Sequence, residues 1–195
     1  MTLADRITSV RLFLAPVFFV IYLLPRFFPS VFTEPAWTVP VLWILFLGSE
    51  FTDMLDGFIA RKRGEVSDFG KLYDPFADTL TQLTYFLCFV IDGILPALLF
   101  LAVIYREFSI LLVRNLMLKK GVAMGARMGG KIKTVSYIAA AGLALVVSSL
   151  IRLGIGADFY RILTIAAGVV FGVSVIFAVI SFFDYVSVYR KTGSK

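Results

Sequence analysis

Six apolar stretches, each close to the length of a membrane-crossing helix, leave this sequence little choice of fold class. A bilayer core takes about 20 largely apolar residues per helix, and runs of that size cover approximately residues 9–30, 37–61, 70–92, 94–118, 132–152 and 160–188. Of 195 residues, 59% are hydrophobic, only 16% are charged and 20 are phenylalanine. Soluble domains carry nearer a quarter charged residues. The expectation is an all-α integral membrane protein, one domain over residues 1–195 with six transmembrane helices. The first run follows the basic "MTLADRITSVR", as in a secretory signal, but the "RFFPSVFTEP" beyond it lacks a small-residue cleavage pattern. That helix is expected to be retained.

Orientation follows from lysine and arginine, which concentrate on the cytoplasmic side of membrane proteins. With six spans the loops alternate sides. One side then collects all of the 19 lysines and arginines except Arg26, Arg152 and Arg161. A wrong helix count scrambles this segregation. Both termini, and a polar active-site cavity described next, are expected to face the cytoplasm of a cell (inner or plasma) membrane. The net charge of +6 belongs to this topology, and no nucleic-acid partner is expected.

Between the second and third runs, "DMLDGFIARKRGEVSDFGKLYDPFAD" places six carboxylates in 26 residues, Asp53 to Asp78. An ionised side chain at the bilayer centre costs about 2.5–3.5 kcal/mol on insertion scales. At interface depth the cost is smaller, and a use for the charges is still required. Asp53 and Asp56 are i, i+3 and Asp74 and Asp78 are i, i+4, so each pair shares a helical face. The short linker "RKRGEVSDFG" makes the two helices antiparallel neighbours, and nothing in the stretch offers enough positive charge to neutralise four facing carboxylates.

Four acidic oxygen donors, in a chain with no histidine, suit hard divalent cations, Mg²⁺ or Mn²⁺. Two ions about 3.5–4 Å apart are the usual occupants of a multi-carboxylate phosphoryl-transfer site. Gly57 and Ala60 lie on the Asp53 side of their helix, where bulk would block a ligand. Gly70 lets backbone approach closely, and Arg61 can fork onto a phosphate. A solvated cytoplasmic loop is the plainer reading of these charges. It suits Glu65 and Asp68, but not two paired faces on adjacent spans.

The pattern Asp53-x2-Asp56-Gly57-x2-Ala60-Arg61-x8-Gly70-x3-Asp74-x3-Asp78 resembles, at every position, the signature of the CDP-alcohol phosphatidyltransferase family. The resemblance implies a six-helix membrane enzyme, commonly a homodimer, that transfers a phosphatidyl group from CDP-diacylglycerol to an alcohol and releases CMP. It implies that Asp53, Asp56, Asp74 and Asp78 ligate the metals and that Asp78 is the general base. It further implies that CDP-diacylglycerol is bound by Asp53, Gly57, Ala60, Arg61 and Gly70. The missing histidines agree, since they remove the commonest base and leave a carboxylate.

A second basic cluster bears on the acceptor. Arg106 and Arg114 lie eight residues apart in "YREFSILLVRNLMLKK", and Lys131 and Lys133 in "GGKIKT". Arg106, within an apolar run, calls for a partner, and helical geometry aims the adjacent Glu107 elsewhere. Four cations in one pocket suit an anionic acceptor, most simply a phosphomonoester. Topology and snorkelling explain Lys119 and Lys120 equally well. The Arg-Glu-x6-Arg spacing, "GKIKT" and the amino-terminal "ITSVRLFLAP" with Thr8 and Arg11 resemble family members that use sn-glycerol 3-phosphate. That acceptor is therefore expected, with Thr8 assigned beside the basic residues. "DPFADT" departs from those members in carrying Thr79 where they have lysine. Inositol phosphate, serine and phosphatidylglycerol remain open as acceptors.

A cation transporter is the rival from another class, but transporters carry carboxylates nearer midspan, and here a basic pocket adjoins them. A purely structural protein has no use for the paired aspartates. Gly168 and Gly172 in the sixth run permit close helix packing, within one chain or across a dimer seam.

Overall fold

The computed structural model describes residues 3–63, 70–119 and 128–193, and these are helical apart from short connections. Six α-helices follow in order: α1 Leu3–Phe27, α2 Thr38–Arg63, α3 Gly70–Ile91, α4 Ala97–Lys119, α5 Met128–Arg152 and α6 Ala157–Gly193. One 3₁₀ turn, Pro35–Trp37, precedes α2, and no strand occurs among the described residues. Among the described residues four segments are long and apolar enough to cross a membrane: Arg6–Phe27, Pro35–Leu55, Gly129–Arg152 and Phe159–Arg190. The helices outside this set carry charges within their apolar sequence, Asp74 and Asp78 in α3 and Arg106, Glu107 and Arg114 in α4. Large apolar side chains such as Phe13, Ile44, Leu98, Val135 and Ile162 stand exposed, as suits surfaces that meet lipid.

Helix ends follow local chemistry. Pro29 disfavours helical backbone at Phe28, and α1 stops at Phe27. Before α4, Gly93 takes the left-handed backbone (φ 71°) that only glycine adopts without strain. The helix then starts just past Pro96.

The chain packs as two units. The first comprises Met1–Cys88 and Ser148–Ala157, the second Phe89–Val147 and Asp158–Lys195. In the first unit α1 packs along α2, and the Tyr85 ring of α3 meets Phe18 at 4.6 Å and Phe46 at 5.3 Å between centroids. Such aromatic pairs add about 0.5–1.5 kcal/mol each beyond area burial. Polar contacts matter more here, because lipid supplies no hydrophobic drive between helices. Arg152 donates to Thr38 Oγ1 (3.0 Å), the Tyr22 carbonyl (2.8 Å) and Ser148 Oγ (3.1 Å), and it lies 4.3 Å from the Tyr22 ring centre. Trp43 Nε1 donates to Ser149 Oγ at 3.0 Å. One guanidinium thus ties the end of α5 to α1 and α2.

In the second unit Ser174 of α6 donates to the Ser136 carbonyl of α5 at 2.9 Å. A Cβ on Gly172 would meet Leu99 Cδ1 of α4 at 3.7 Å, whereas one on Gly168 meets nothing within 4 Å. Of the two small residues, Gly172 therefore serves packing within the chain. Replacing Arg152 with Met is expected to lower the unfolding free energy by about 4.5 kcal/mol or more, since its three hydrogen bonds involve a charged group and contribute about 1.5–3 kcal/mol each. Thermal unfolding in detergent measures this, with the exposed Arg161→Met as a control that changes it by less than about 0.5 kcal/mol.

Candidate active site

The acidic residues meet through α1. Thr8 and Arg11 lie one helical turn apart on that helix and so share a face. Arg11 Nη1 pairs with Asp53 Oδ1 of α2 and with Asp78 Oδ1 of α3 at 2.8 Å. Two carboxylates from different helices therefore converge on a single nitrogen. Thr8 Oγ1 donates to Asp74 Oδ1 at 2.9 Å, and Ser9 Oγ lies 2.9 Å from the Tyr73 hydroxyl. The positive charge missing from the acidic stretch comes from another helix.

Exposure distinguishes the partners. The Arg11 side chain is 4% exposed, while those of Asp53 and Asp78 are 40% and 38% exposed. The guanidinium lies beneath, and the carboxylates keep open faces. Gly70 is buried at the start of α3, and Gly57 is half-buried on α2. Asp56, Ala60 and Arg61 stand on α2, but their side chains lie outside the described residues, as do Glu65 and Asp68 altogether. Thr79 is buried beside Asp78.

Among the described residues no group of three or more carboxylate, histidine or cysteine side chains is gathered closely enough to hold a metal by itself. The donor chemistry nevertheless fits a hard divalent cation. Among the described residues the site's carboxylates, Asp53, Asp74 and Asp78, offer oxygen donors, and two of them keep open outer faces.

Thr8 thus sits with the aspartates. The basic residues lie in the second unit, where Arg106 is buried on α4. Its Nε donates to the Ala178 carbonyl (3.0 Å) and its Nη2 to Ser181 Oγ (3.3 Å). Its Nη1 pairs with Glu107 Oε1 at 2.7 Å. This corrects the expectation that Glu107 aims elsewhere: two long side chains can curl around the helix to meet, whatever direction their Cβ atoms take. Lys133 Nζ reaches the same Glu107 oxygen at 3.3 Å and covers the Tyr137 ring at 4.6 Å. Arg114 Nη2 donates to the Tyr185 hydroxyl at 3.2 Å. Lys131 is exposed.

Two residues thus escaped the reading of the sequence. Glu107 is the shared anion of two buried cations, and its adjacency to Arg106 was the available signal. Arg11 is the counter-charge of the aspartates, a role that its place with Thr8 in the amino-terminal "ITSVRLFLAP" did not reveal.

The family model described as CDP-alcohol phosphatidyltransferase matches residues 1–180. A CDP-diacylglycerol–glycerol-3-phosphate 3-phosphatidyltransferase of Treponema pallidum (strain Nichols) is 38% identical over 194 residues, covering 97% of this chain and 89% of its own length. The protein of the same name from Bacillus subtilis (strain 168) is 34% identical over 147 residues, 73% of this chain and 76% of its own. A probable phosphatidylglycerophosphate synthase of Mycobacterium tuberculosis (strain ATCC 25618 / H37Rv) is 30% identical over 185 residues, 95% of this chain and 80% of its own.

Glu107→Gln leaves two buried cations without their shared anion. Breaking such a pair costs about 3–5 kcal/mol, so this variant is expected to melt well below wild type, with Glu107→Asp between them. Thermal unfolding in detergent reads the order directly.

Proposed function

The chain belongs to the CDP-alcohol phosphatidyltransferase family, and from that premise we propose that it transfers the phosphatidyl group of CDP-diacylglycerol to sn-glycerol 3-phosphate. The products are phosphatidylglycerophosphate and CMP. The observation that carries the catalytic reading is the convergence of Asp53 and Asp78 from α2 and α3, open faces outward. The acceptor is supported by the names of the Treponema and Bacillus relatives, both glycerol-3-phosphate 3-phosphatidyltransferases. All six helices cross the cell membrane in this reading, with both termini and the active site cytoplasmic, and the enzyme works as a homodimer. The segregation of lysine and arginine supports the topology.

Asp53, Asp56, Asp74 and Asp78 hold the metal. Mg²⁺ or Mn²⁺ bound there, as two ions, supplies neutralisation of the pyrophosphate and of the charge on the departing oxygen. Thr8 orients Asp74 through its hydroxyl, much as outer hydrogen bonds orient metal-bound carboxylates elsewhere. Gly57, Ala60, Arg61 and Gly70 bind the nucleotide-diphosphate portion of CDP-diacylglycerol, the glycines leaving room and Arg61 supplying charge.

Asp78 takes the proton of the acceptor hydroxyl as that oxygen bonds to the lipid-bearing phosphorus. The pyrophosphate P–O bond breaks, and its electron pair leaves with CMP. With no histidine in the chain, a carboxylate is the fitting base. Arg106, Arg114, Lys131 and Lys133 bind the acceptor's phosphate. The buried pair among them shares one anion, Glu107, so the cluster keeps surplus positive charge for a phosphomonoester. Thr79 in the usual lysine's place is the observation that keeps other acceptors in view.

Purified enzyme given CDP-diacylglycerol and a panel of acceptors is expected to release CMP with glycerol 3-phosphate and to stop when the metal is chelated. Activity with inositol phosphate, serine or phosphatidylglycerol, and none with glycerol 3-phosphate, overturns the acceptor. Asp78→Asn is expected to lower turnover at least about 10²-fold, the low end for general-base catalysis, while the protein still extracts as a folded species.

A further inference from the structure

The geometry points to Arg11 as an internal counter-cation that competes with divalent metal ions for Asp53 and Asp78. Metal entry then requires the guanidinium to give up the carboxylates. This inference rests on the metal-site reading above and goes beyond it by giving the site a built-in competitor.

Arg11 Nη1 contacts an oxygen of each carboxylate, and those two aspartates belong to the proposed ligand set. An arginine cannot escape the competition by losing its proton, as a lysine can. The side chain lies buried while the carboxylates remain partly exposed, so an arriving ion would meet carboxylates whose charge is already shared. Acidic ends of two helices that would repel each other are thereby kept together while ions and nucleotide exchange.

A permanent pin is the alternative, with Arg11 holding the carboxylates in place for the metal as an outer hydrogen bond does. The two readings differ in sign. Removing a pin loosens the ligands and weakens metal binding. Removing a competitor would free the oxygens and delete a positive charge in contact with the same carboxylates, and both effects would tighten binding. Competition outweighs pinning. Asp53 and Asp78 stay anchored on their helices without Arg11, and Thr8 still holds Asp74, whereas repulsion between a full and a double charge at contact range exceeds the loss of the hydrogen bonds to both carboxylates.

Calorimetric titration of the purified protein with Mn²⁺ decides between them, using wild type, Arg11→Gln, Arg11→Lys and Asp78→Asn. Arg11→Gln is expected to bind Mn²⁺ about tenfold more tightly or better, the change that about 1.4 kcal/mol makes, and to gain more melting temperature from the ion than wild type does. Arg11→Lys falls between, a point charge lacking the guanidinium fork. An Arg11 of merely structural importance lowers the melting temperature without tightening Mn²⁺ binding. Unchanged or weaker affinity in Arg11→Gln, with wild type binding and Asp78→Asn not, overturns the inference and leaves the metal site standing. No Mn²⁺ binding by any variant overturns the metal reading, and the inference with it. Should Arg11→Gln fail to fold, Arg11→Lys carries the test, and affinity at or below wild type overturns the inference.

Discussion

Carboxylates at the ends of neighbouring apolar helices repel one another, at about 4 kcal/mol for unit charges 4 Å apart in a surface-like dielectric. The cation that meets this repulsion comes from α1, where Arg11 joins Asp53 of α2 to Asp78 of α3. Thr8 and Ser9 add contacts to Asp74 and Tyr73 along the same stretch of helix. The first helix is therefore part of the frame that holds these acidic residues. Where the aromatic contacts of Phe18, Phe46 and Tyr85 fix the apolar bodies of these three helices, the charge contacts fix their polar ends.

Each unit repeats this arrangement with different signs. In the second, Glu107 is the anion between two cations, Arg106 and Lys133. Elsewhere in the first, Arg152 binds two hydroxyls and a carbonyl. Charges within apolar helices persist when they are paired or hydrogen-bonded, and helices in lipid associate through such contacts and close packing. The groups assigned to ligand binding are thus also groups that hold the helices together. In the proposed reading, substrate or metal bound there would exchange one set of partners for another, and the relative strength of internal and external pairing would govern affinity.

Helix existence was legible in hydropathy, because long apolar runs have one stable form in lipid. The ends were less so. The first helix stops three residues short of its expected end because of Pro29, the fourth begins after Pro96, and the sixth continues to Gly193 past the last apolar residues. The Asp74–Asp78 face was legible because i, i+4 spacing is local, and both residues meet α1; the face of Asp53 with Asp56 lies partly outside the described residues. The partner of those aspartates was not legible, since Arg11 and Asp53 are 42 residues apart and nothing near either names the other. Glu107 was misread for a different reason. Facing rules apply to Cβ directions, while arginine and glutamate have enough rotatable bonds to meet around a helix.

The convergence of the acidic residues is tested most directly by electron paramagnetic resonance of Mn²⁺ bound to the purified protein. A spin-coupled pair of ions about 3.5–4 Å apart, lost in both Asp53→Asn and Asp78→Asn, is the predicted result. Uncoupled ions that survive both substitutions contradict a shared site built from α2 and α3.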